Sequence, residues 1–355
     1  MNYIGSKKSL LAFIEQSIYQ VVAQKKFTFL DLFAGTGIVG QHFKKLGHTI
    51  IANDLQYYSY VLNKNYIGNH QILKFNNLIN EIEVFKNKNI ENRARLVCDF
   101  LDNINGIEGF IYKNYCLGAT ANKAFERQYF SDANGKKADA IRTKIEEWKV
   151  KELINDNEYY FLLATLIENI DKVANTASVY GAFLKKLKSS AQKNLMMTPA
   201  CFIYNDVEHF VYNEDAETLI NKVEGDVLYL DPPYNHRQYA PNYHLLETIA
   251  KYDNPIIKGK TGLRDYANQK SKFSQQKEVL ISFENIIQKA KVNYIFLSYN
   301  NEGLMSPLEI KTIMSKRGKY GLFTKHYNRF KADTNENRNH KAIAVVEYLH
   351  YVECV

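Results

Sequence analysis

Phe27-Thr28-Phe29-Leu30-Asp31-Leu32-Phe33-Ala34-Gly35-Thr36-Gly37-Ile38-Val39-Gly40 decides the fold. The run from Phe27 to Phe33 is short and almost wholly apolar, as a parallel strand covered on both faces must be. Gly35 and Gly37 break it. Ile38 to Leu46 then carries helical spacing and stops at Gly47, the residue type that closes helices most often. Thr49-Ile50-Ile51-Ala52-Asn53-Asp54 reads as a second strand. Strand, glycine turn, helix and strand form the opening unit of a doubly wound α/β sheet with helices on both faces. Gly35, Gly37 and Gly40 fit G-x-G-x-x-G in the one setting where that pattern carries meaning, after a strand and before a helix. Asp54 ends the second strand, where a carboxylate can accept hydrogen bonds from ribose hydroxyls.

Outward from this unit, apolar residues from Leu10 to Val22 predict a helix over about 9–23. Downstream, from about residue 65 to 199, the chain becomes polar, Asn- and Lys-rich and helical in pattern, most clearly over 141–150 and 159–173. Strand patterns return at Ala200–Tyr204, Val227–Leu230 and Tyr294–Tyr299, and Lys341–Tyr351 alternates as a last strand. The pattern predicts one discontinuous catalytic domain, 1–70 and 200–355, holding an inserted, mainly helical domain at 71–199. Hydrophobic residues make up 46% of the chain, enough for a sizeable core, and no apolar run is long enough to span a bilayer. Neither a signal-peptide pattern nor close cysteine pairing is present, so a cytoplasmic protein with Cys98, Cys116, Cys201 and Cys354 reduced is expected. No cluster has metal-ligand spacing, and no metal is expected.

The glycine turn admits two ligands, a dinucleotide or S-adenosylmethionine. Asp31 at the strand end favours the second: its charge suits a sulfonium and an ammonium and would repel a pyrophosphate. The stretch Asp231-Pro232-Pro233-Tyr234, directly after the apolar run Val227–Leu230, adds chemistry. Two prolines stop the strand and stiffen the backbone. An exocyclic adenine amine is a poor nucleophile because its lone pair is delocalised. The Asp231 carboxylate and the Pro232 carbonyl can accept its two N–H groups and free that lone pair, while Tyr234 can stack on the base. A base inside a duplex is out of reach, so it must be flipped out.

At this point the sequence resembles the α-group, Dam-like N6-adenine DNA methyltransferases. Asn2-Tyr3-Ile4-Gly5-Ser6-Lys7, Asp31-Leu32-Phe33-Ala34-Gly35-Thr36-Gly37 and Asp231-Pro232-Pro233-Tyr234 are similar to three of that group's motifs, in its order. The resemblance implies a Rossmann-like S-adenosylmethionine-dependent sheet and a target-recognition domain in the insertion. It implies that Tyr3 and Lys7 reach the cofactor, that Asp31, Phe33, Gly35 and Gly37 form its turn, that Asp54 holds its ribose, and that Asp206 lies beside its adenine. Double-stranded DNA is the implied partner, and a cognate restriction endonuclease a possible one.

A net charge of +8 permits such a partner. No acid occurs between Asp171 and Asp206, while Lys185, Lys186, Lys188 and Lys193 fall there, a pattern that fits a phosphate-tracking strip or a solvated helix face. His236, Arg237, Gln238 and Tyr239 follow the acid-proline stretch and are placed to hold a flipped base or fill its gap. Lys258, Lys260, Arg264, Lys270 and Lys272 suggest a mobile loop that orders over DNA or, equally, an ordinary solvated loop. Arg127, Gln128, Asn134 and Arg142 are candidates for reading base edges. Cytosine N4 or RNA adenine methylation, a nucleotide-dependent oxidoreductase and a silent DNA-binding module remain open. RNA adenine shares the pocket chemistry, while Asp231 favours adenine over cytosine, because the similar tetrapeptide of N4-cytosine methyltransferases usually begins with Ser. The oxidoreductase and the silent module leave Asp231-Pro232-Pro233-Tyr234 without a role.

Overall fold

A computed structural model describes residues 3–79, 81–82, 89–328 and 344–355. A 3-10 turn at Lys7–Leu10 leads into α1 (Leu11–Val21). The opening unit follows as β1 (Thr28–Asp31), α2 (Ile38–Lys45) and β2 (Thr49–Asn53), then α3 (Tyr57–Asn63). The insertion is helical: α4 (Arg93–Asn103), α5 (Phe110–Tyr115), α6 (Leu117–Thr120), α7 (Asp132–Val150) and α8 (Asp156–Lys172). The chain then runs through β3 (Phe210–Tyr212), α9 (Ala216–Leu219), β4 (Val227–Leu230) and α10 (Tyr239–Lys251). A hairpin, β5 (Ile257–Lys258) and β6 (Leu263–Arg264), precedes α11 (Val279–Lys289) and β7 (Tyr294–Asn300). α12 (Pro307–Met314), β8 (Gly318–Asn328) and β9 (Ala344–Cys354) finish the fold.

Seven strands form one sheet in the order β3-β2-β1-β4-β7-β9-β8. The pairs from β3 to β7 are parallel, and β9 runs antiparallel to β7 and β8. This is the expected doubly wound sheet. Its strands are apolar on successive residues because both faces are covered. Phe29, Ile50, Val227 and Phe296 pack with Ile14, Ile18 and Phe43 of α1 and α2. Their strand neighbours Leu30, Ile51, Leu228 and Ile295 pack with Leu219, Phe283, Ile286 and Ile310 of α9, α11 and α12. Each such side chain withdrawn from water contributes about 1.5–3 kcal/mol before conformational entropy is subtracted.

A third core joins the insertion to the sheet domain. Ile141 and Trp148 of α7 and Leu162, Leu163 and Leu166 of α8 share it with Tyr58 and Leu62 of α3 and Tyr243 and Leu246 of α10. The insertion is therefore seated on the helix that follows the acid-proline stretch.

One expectation changes, and β8 is an addition to the sequence reading. Ala200–Tyr204 forms no strand: Ala200 donates to Thr165 Oγ1 at 3.1 Å and accepts from Asn65 at 2.9 Å, which ties that stretch to α8 and to the turn after α3. The third parallel strand is β3, three residues long at the sheet edge. β8 has no signal in the pattern, because Gly318, Gly321, Thr324 and Lys325 dilute it at the other edge. The last strand begins at Ala344 among the described residues; Lys341 to Ile343 lie outside them.

Candidate active site

In open α/β sheets the carboxyl ends of the strands meet at a point where the connections diverge, and ligands bind there. Here β1 has β2 on one side and β4 on the other, and a cleft of about 1110 Å³, open solvent at its mouth included, lies beyond their ends. Tyr3, Lys7, Asp31, Phe33, Gly35, Asp54 and Asp231 to Tyr234 all line it. Pieces of sequence more than two hundred residues apart thus converge on one hollow.

The glycine turn shapes its floor. Gly37 has φ +77° and donates its N–H to Ala34 O at 2.8 Å, so the chain reverses into α2 in a conformation that suits glycine. A Cβ on Gly35 would stand 3.0 Å from the Tyr3 ring and would crowd the cleft. Gly35 donates its N–H to Asp54 Oδ2 and Gln56 its N–H to Asp54 Oδ1, both at 2.8 Å. Each oxygen keeps acceptor capacity on its cleft side. Burial nevertheless lifts Asp54 to about 7, against the pull of those two N–H groups.

Asp31, 1% exposed, is raised well above the usual carboxylate range, first by burial and then by the neighbouring charges of Asp231 and Asp54. Its Oδ1 is buried without a hydrogen-bond partner. A buried acceptor of this kind is costly unless a cationic or hydrogen-bonding ligand meets it. The cleft therefore suits a ligand with a positive centre near β1 and vicinal hydroxyls near β2.

Asp231 begins the loop beyond β4. Pro232 is buried, and the Tyr234 carbonyl accepts the Leu304 N–H at 2.9 Å, which fixes the far end of the loop. Lys7 Nζ lies 3.3 Å from Asp231 Oδ1 and 2.5 Å from Glu347 Oε1. Burial alone would lower Lys7, but the two carboxylates hold it well above its ordinary value. Asp231 is pushed up to about 6, by burial first, with Lys7 pulling it back and Glu347 pushing the same way as burial. Lys7, implied by the resemblance to reach the cofactor, thus spends its ammonium on carboxylates. Glu347 escapes the reading of the sequence; its one cue there is an acid inside the apolar alternation of the last strand.

Tyr239 lines the cleft and packs on the N-terminal motif. Its ring lies 5.6 Å from Tyr3, its hydroxyl donates to Ile4 O at 3.3 Å, and Tyr3 stacks on Tyr243 at 4.9 Å. α10 so clamps the N-terminal motif over the cleft. Gln238 lines the cleft, but its amide is engaged at both ends: Nε2 donates to Ser271 O at 3.0 Å, and Oε1 accepts the Ser271 N–H at 2.8 Å. His236 and Arg237 are exposed beside the mouth.

Asp206 does not line the cleft; with no strand at 201–204 to carry it there, it sits in coil. Glu214, Asp215 and Glu217, after β3, line that wall instead. The stretch holding Lys185, Lys186, Lys188 and Lys193 is irregular, with one 3-10 turn at Ser189–Gln192, and is not a helix face. Lys185, Lys186 and Lys193 are exposed, whereas Lys188 turns inward and donates to Thr176 O at 2.6 Å. Three of the expected base readers are buried. Arg127 donates to the carbonyls of Asn114, Gly259 and Lys260, Arg142 to those of Ile249 and Ala250, and Asn134 to those of Ala191 and Lys193. The segment around Lys258–Lys272 is a hairpin and two 3-10 turns. Arg264 pairs with both oxygens of Asp253, and Phe273 is buried edge-on to Phe33.

Among the described residues no group of three or more His, Cys, Asp and Glu could hold a metal, and no helix is long and apolar enough to cross a membrane. No solved structure gives a significant match. Residues 3–315 match the family described as D12 class N6 adenine-specific DNA methyltransferase. The chain is 52% identical to the Type II methyltransferase M.NlaIII of Neisseria lactamica, over 99% of each protein. It is 39% identical to the Type II methyltransferase M.FokI of Planomicrobium okeanokoites, over 99% of this chain and 52% of that one. It is 33% identical to the Type II methyltransferase M.CviAII of Paramecium bursaria Chlorella virus 1, over 99% and 98%. The acid-proline-tyrosine loop, the glycine turn and the match along nearly the whole chain agree, and this chain belongs to the D12 class N6 adenine-specific DNA methyltransferases.

Proposed function

We propose that the cleft binds S-adenosylmethionine and that Asp231, Pro232, Pro233 and Tyr234 present a flipped-out adenine of double-stranded DNA to it, as the modification half of a restriction-modification pair. The observation that carries this reading is the meeting of Asp31, Asp54 and Asp231 in one cleft at the ends of β1, β2 and β4. When bound, S-adenosylmethionine supplies an electrophilic methyl group on a cationic sulfur. Asp31 Oδ1, buried and unpartnered, would meet that positive centre. Asp54 accepts the ribose hydroxyls, and Phe33, with Phe273 edge-on at 5.0 Å, walls the base. Tyr3 and the Gly35 backbone set the width of the cradle.

Asp231 and the Pro232 carbonyl accept the two amine hydrogens of adenine, and Tyr234 stacks on the ring. The proline frame keeps both acceptors in place before the base arrives, so little reorganisation is needed at the moment of transfer. Glu214 and Asp215 take the wall position that Asp206 does not reach. His236 and Arg237, at the rim, hold the duplex next to the extruded base.

DNA lies over a basic ridge. Lys185 and Lys186 on one loop and Lys258 and Lys260 on the hairpin are all exposed. Arg127 and Asn175 pin those loops together: Arg127 bonds the hairpin carbonyls, while Asn175 bonds Gln128 O and Leu184 O, each at 2.9 Å. Tyr180 N donates to Asn242 O at 2.7 Å and fastens the lysine loop to α10. The test is transfer of labelled methyl from S-adenosylmethionine to duplex DNA, followed by digestion and chromatography of the nucleosides. N6-methyladenine is expected; label in cytosine, or transfer to RNA alone, would overturn the substrate assignment.

A further inference from the structure

The buried charges behind Asp231 form a chain that the family chemistry does not require. Glu347 lies on β9, opposite Asn300 of β7, and its side chain is 2% exposed. Burying a carboxylate in a sheet is expensive unless charge and hydrogen bonds compensate it. Ser298 Oγ donates to Glu347 Oε1 at 2.7 Å, and Lys7 Nζ meets the same oxygen at 2.5 Å. Lys7 stands farther from Asp231, at 3.3 Å from Oδ1. One ammonium is thus shared unequally between two carboxylates, with the shorter distance to the one remote from the cleft. Among the described residues nothing else bonds the Asp231 carboxylate.

We infer that Glu347 is a positioning residue for methyl transfer: by holding Lys7 back, itself anchored by Ser298, it leaves Asp231 oriented by one oxygen and free to accept the adenine amine with the other. The inference rests on the proposed role of Asp231. Without Glu347, Lys7 closes fully onto Asp231. A carboxylate in a tight ion pair is a weaker acceptor for a neutral amine, because the cation already draws its charge. The groups facing Asp231 are Lys7 from the first turn, Asp31 from β1, Tyr229 from β4, Tyr234 of its own loop, Tyr239 from α10 and Glu347 from β9. Glu347 is the like charge that opposes Lys7 there. Its removal lowers the Asp231 titration and moves the acid limb of the rate profile to lower pH.

The test is Glu347→Gln in the full chain, with single-turnover methyl transfer measured across pH, alongside cofactor and DNA binding and thermal unfolding. The glutamine keeps shape and can still accept from Ser298. The expected result is a transfer rate lower by about 10- to 100-fold, with the acid limb shifted down by roughly one unit and both affinities within about threefold of native. Ser298→Ala, which loosens the anchor without removing a charge, gives a smaller loss in the same direction. A native rate with an unshifted limb overturns the inference. So does a rate loss matched by equal losses of cofactor affinity and unfolding temperature, which would make Glu347 a buried ion-pair partner and nothing more. Neither outcome touches the role of Asp231, which fails only if Asp231→Ala keeps transferring methyl groups.

Discussion

Gly35 donates its backbone N–H to Asp54 Oδ2 at 2.8 Å, so the turn after β1 and the acid after β2 form one hydrogen-bonded unit. Asp54 titrates near the ordinary carboxylate value in an unfolded chain, but burial lifts it to about 7 in the fold. Between those values the folded state holds the extra proton. Its contribution to stability is therefore full at low pH and is lost as pH rises through about 7. The buried His48, His209, His244 and His350, each held down to about 4, act oppositely, but only below their unfolded pKa. Lys44, held down to about 7 by burial, acts oppositely above that pH, and the raised Asp31 and Asp231 act in the same direction as Asp54, so the Asp54 effect is the difference between the native and Asp54→Asn proteins over about pH 5 to 7. Asp54→Asn should make the slope of unfolding temperature against pH more positive than native over that range, whatever its fixed offset, and weaken cofactor binding about tenfold or more. Scanning fluorimetry across the range checks this, and a variant slope equal to the native one would place the titration elsewhere.

Asp231→Ala tests the transfer chemistry apart from binding. Asp31, Asp54 and the glycine turn are untouched, so cofactor affinity should change little. Transfer should fall by about 10²–10⁴-fold, the range for losing a positioned proton acceptor. Calorimetry and a single-turnover assay on one preparation give both numbers. Substantial turnover in the variant would remove Asp231 from the mechanism.

The inward turn of Lys188 makes the salt prediction selective. Lys185→Gln with Lys186→Gln should weaken duplex binding and reduce the slope of log affinity against log salt by about 0.9 for each phosphate no longer neutralised. Lys188→Gln should leave that slope alone and act on the loop, through Thr176. Fluorescence anisotropy over a salt series separates the two. An unchanged slope in the double variant would return this loop to ordinary solvated surface.

The legible parts of the molecule are those where a short-range pattern has one physical solution. β1, β2, β4 and β7 are apolar on both faces because helices cover both, and that leaves a mark in sequence. The glycines and Asp231-Pro232-Pro233-Tyr234 are legible for a similar reason, since few backbones need those residues together. β3 and β8 lie at sheet edges, where half the side chains meet water and the pattern fades, so the apolar coil at Ala200–Tyr204 reads more like a strand than β3 does. The expected place of Asp206 depends on that strand and goes with it. Glu347 is illegible, because its meaning depends on Lys7, 340 residues away. The basic residues are the hardest. An arginine that reads a base and an arginine that caps buried carbonyls have the same letter, and Arg127 and Arg142 are of the second kind.

Arg127 gives the sharpest contrast between those two roles. Its guanidinium donates to Asn114 O at 3.2 Å, Lys260 O at 3.1 Å and Gly259 O at 2.8 Å, while Tyr115 donates to Gly262 O at 2.7 Å. Together they fasten the tip of the β5–β6 hairpin to the insertion. Arg127→Met keeps much of the aliphatic stem but strips three carbonyls of a charged donor, at a cost of about 2–4 kcal/mol. The hairpin should then open more often, and amide exchange at Lys258 to Arg264 should quicken while α11 and the central strands stay protected. Duplex affinity should fall because Lys258 and Lys260 are no longer held in register with Lys185 and Lys186, and cofactor affinity should stay within about twofold, since no cleft group is touched. If duplex affinity fell with the hairpin amides exchanging at native rates, Arg127 would have to act on DNA itself, and the recognition surface would need to be redrawn around its guanidinium.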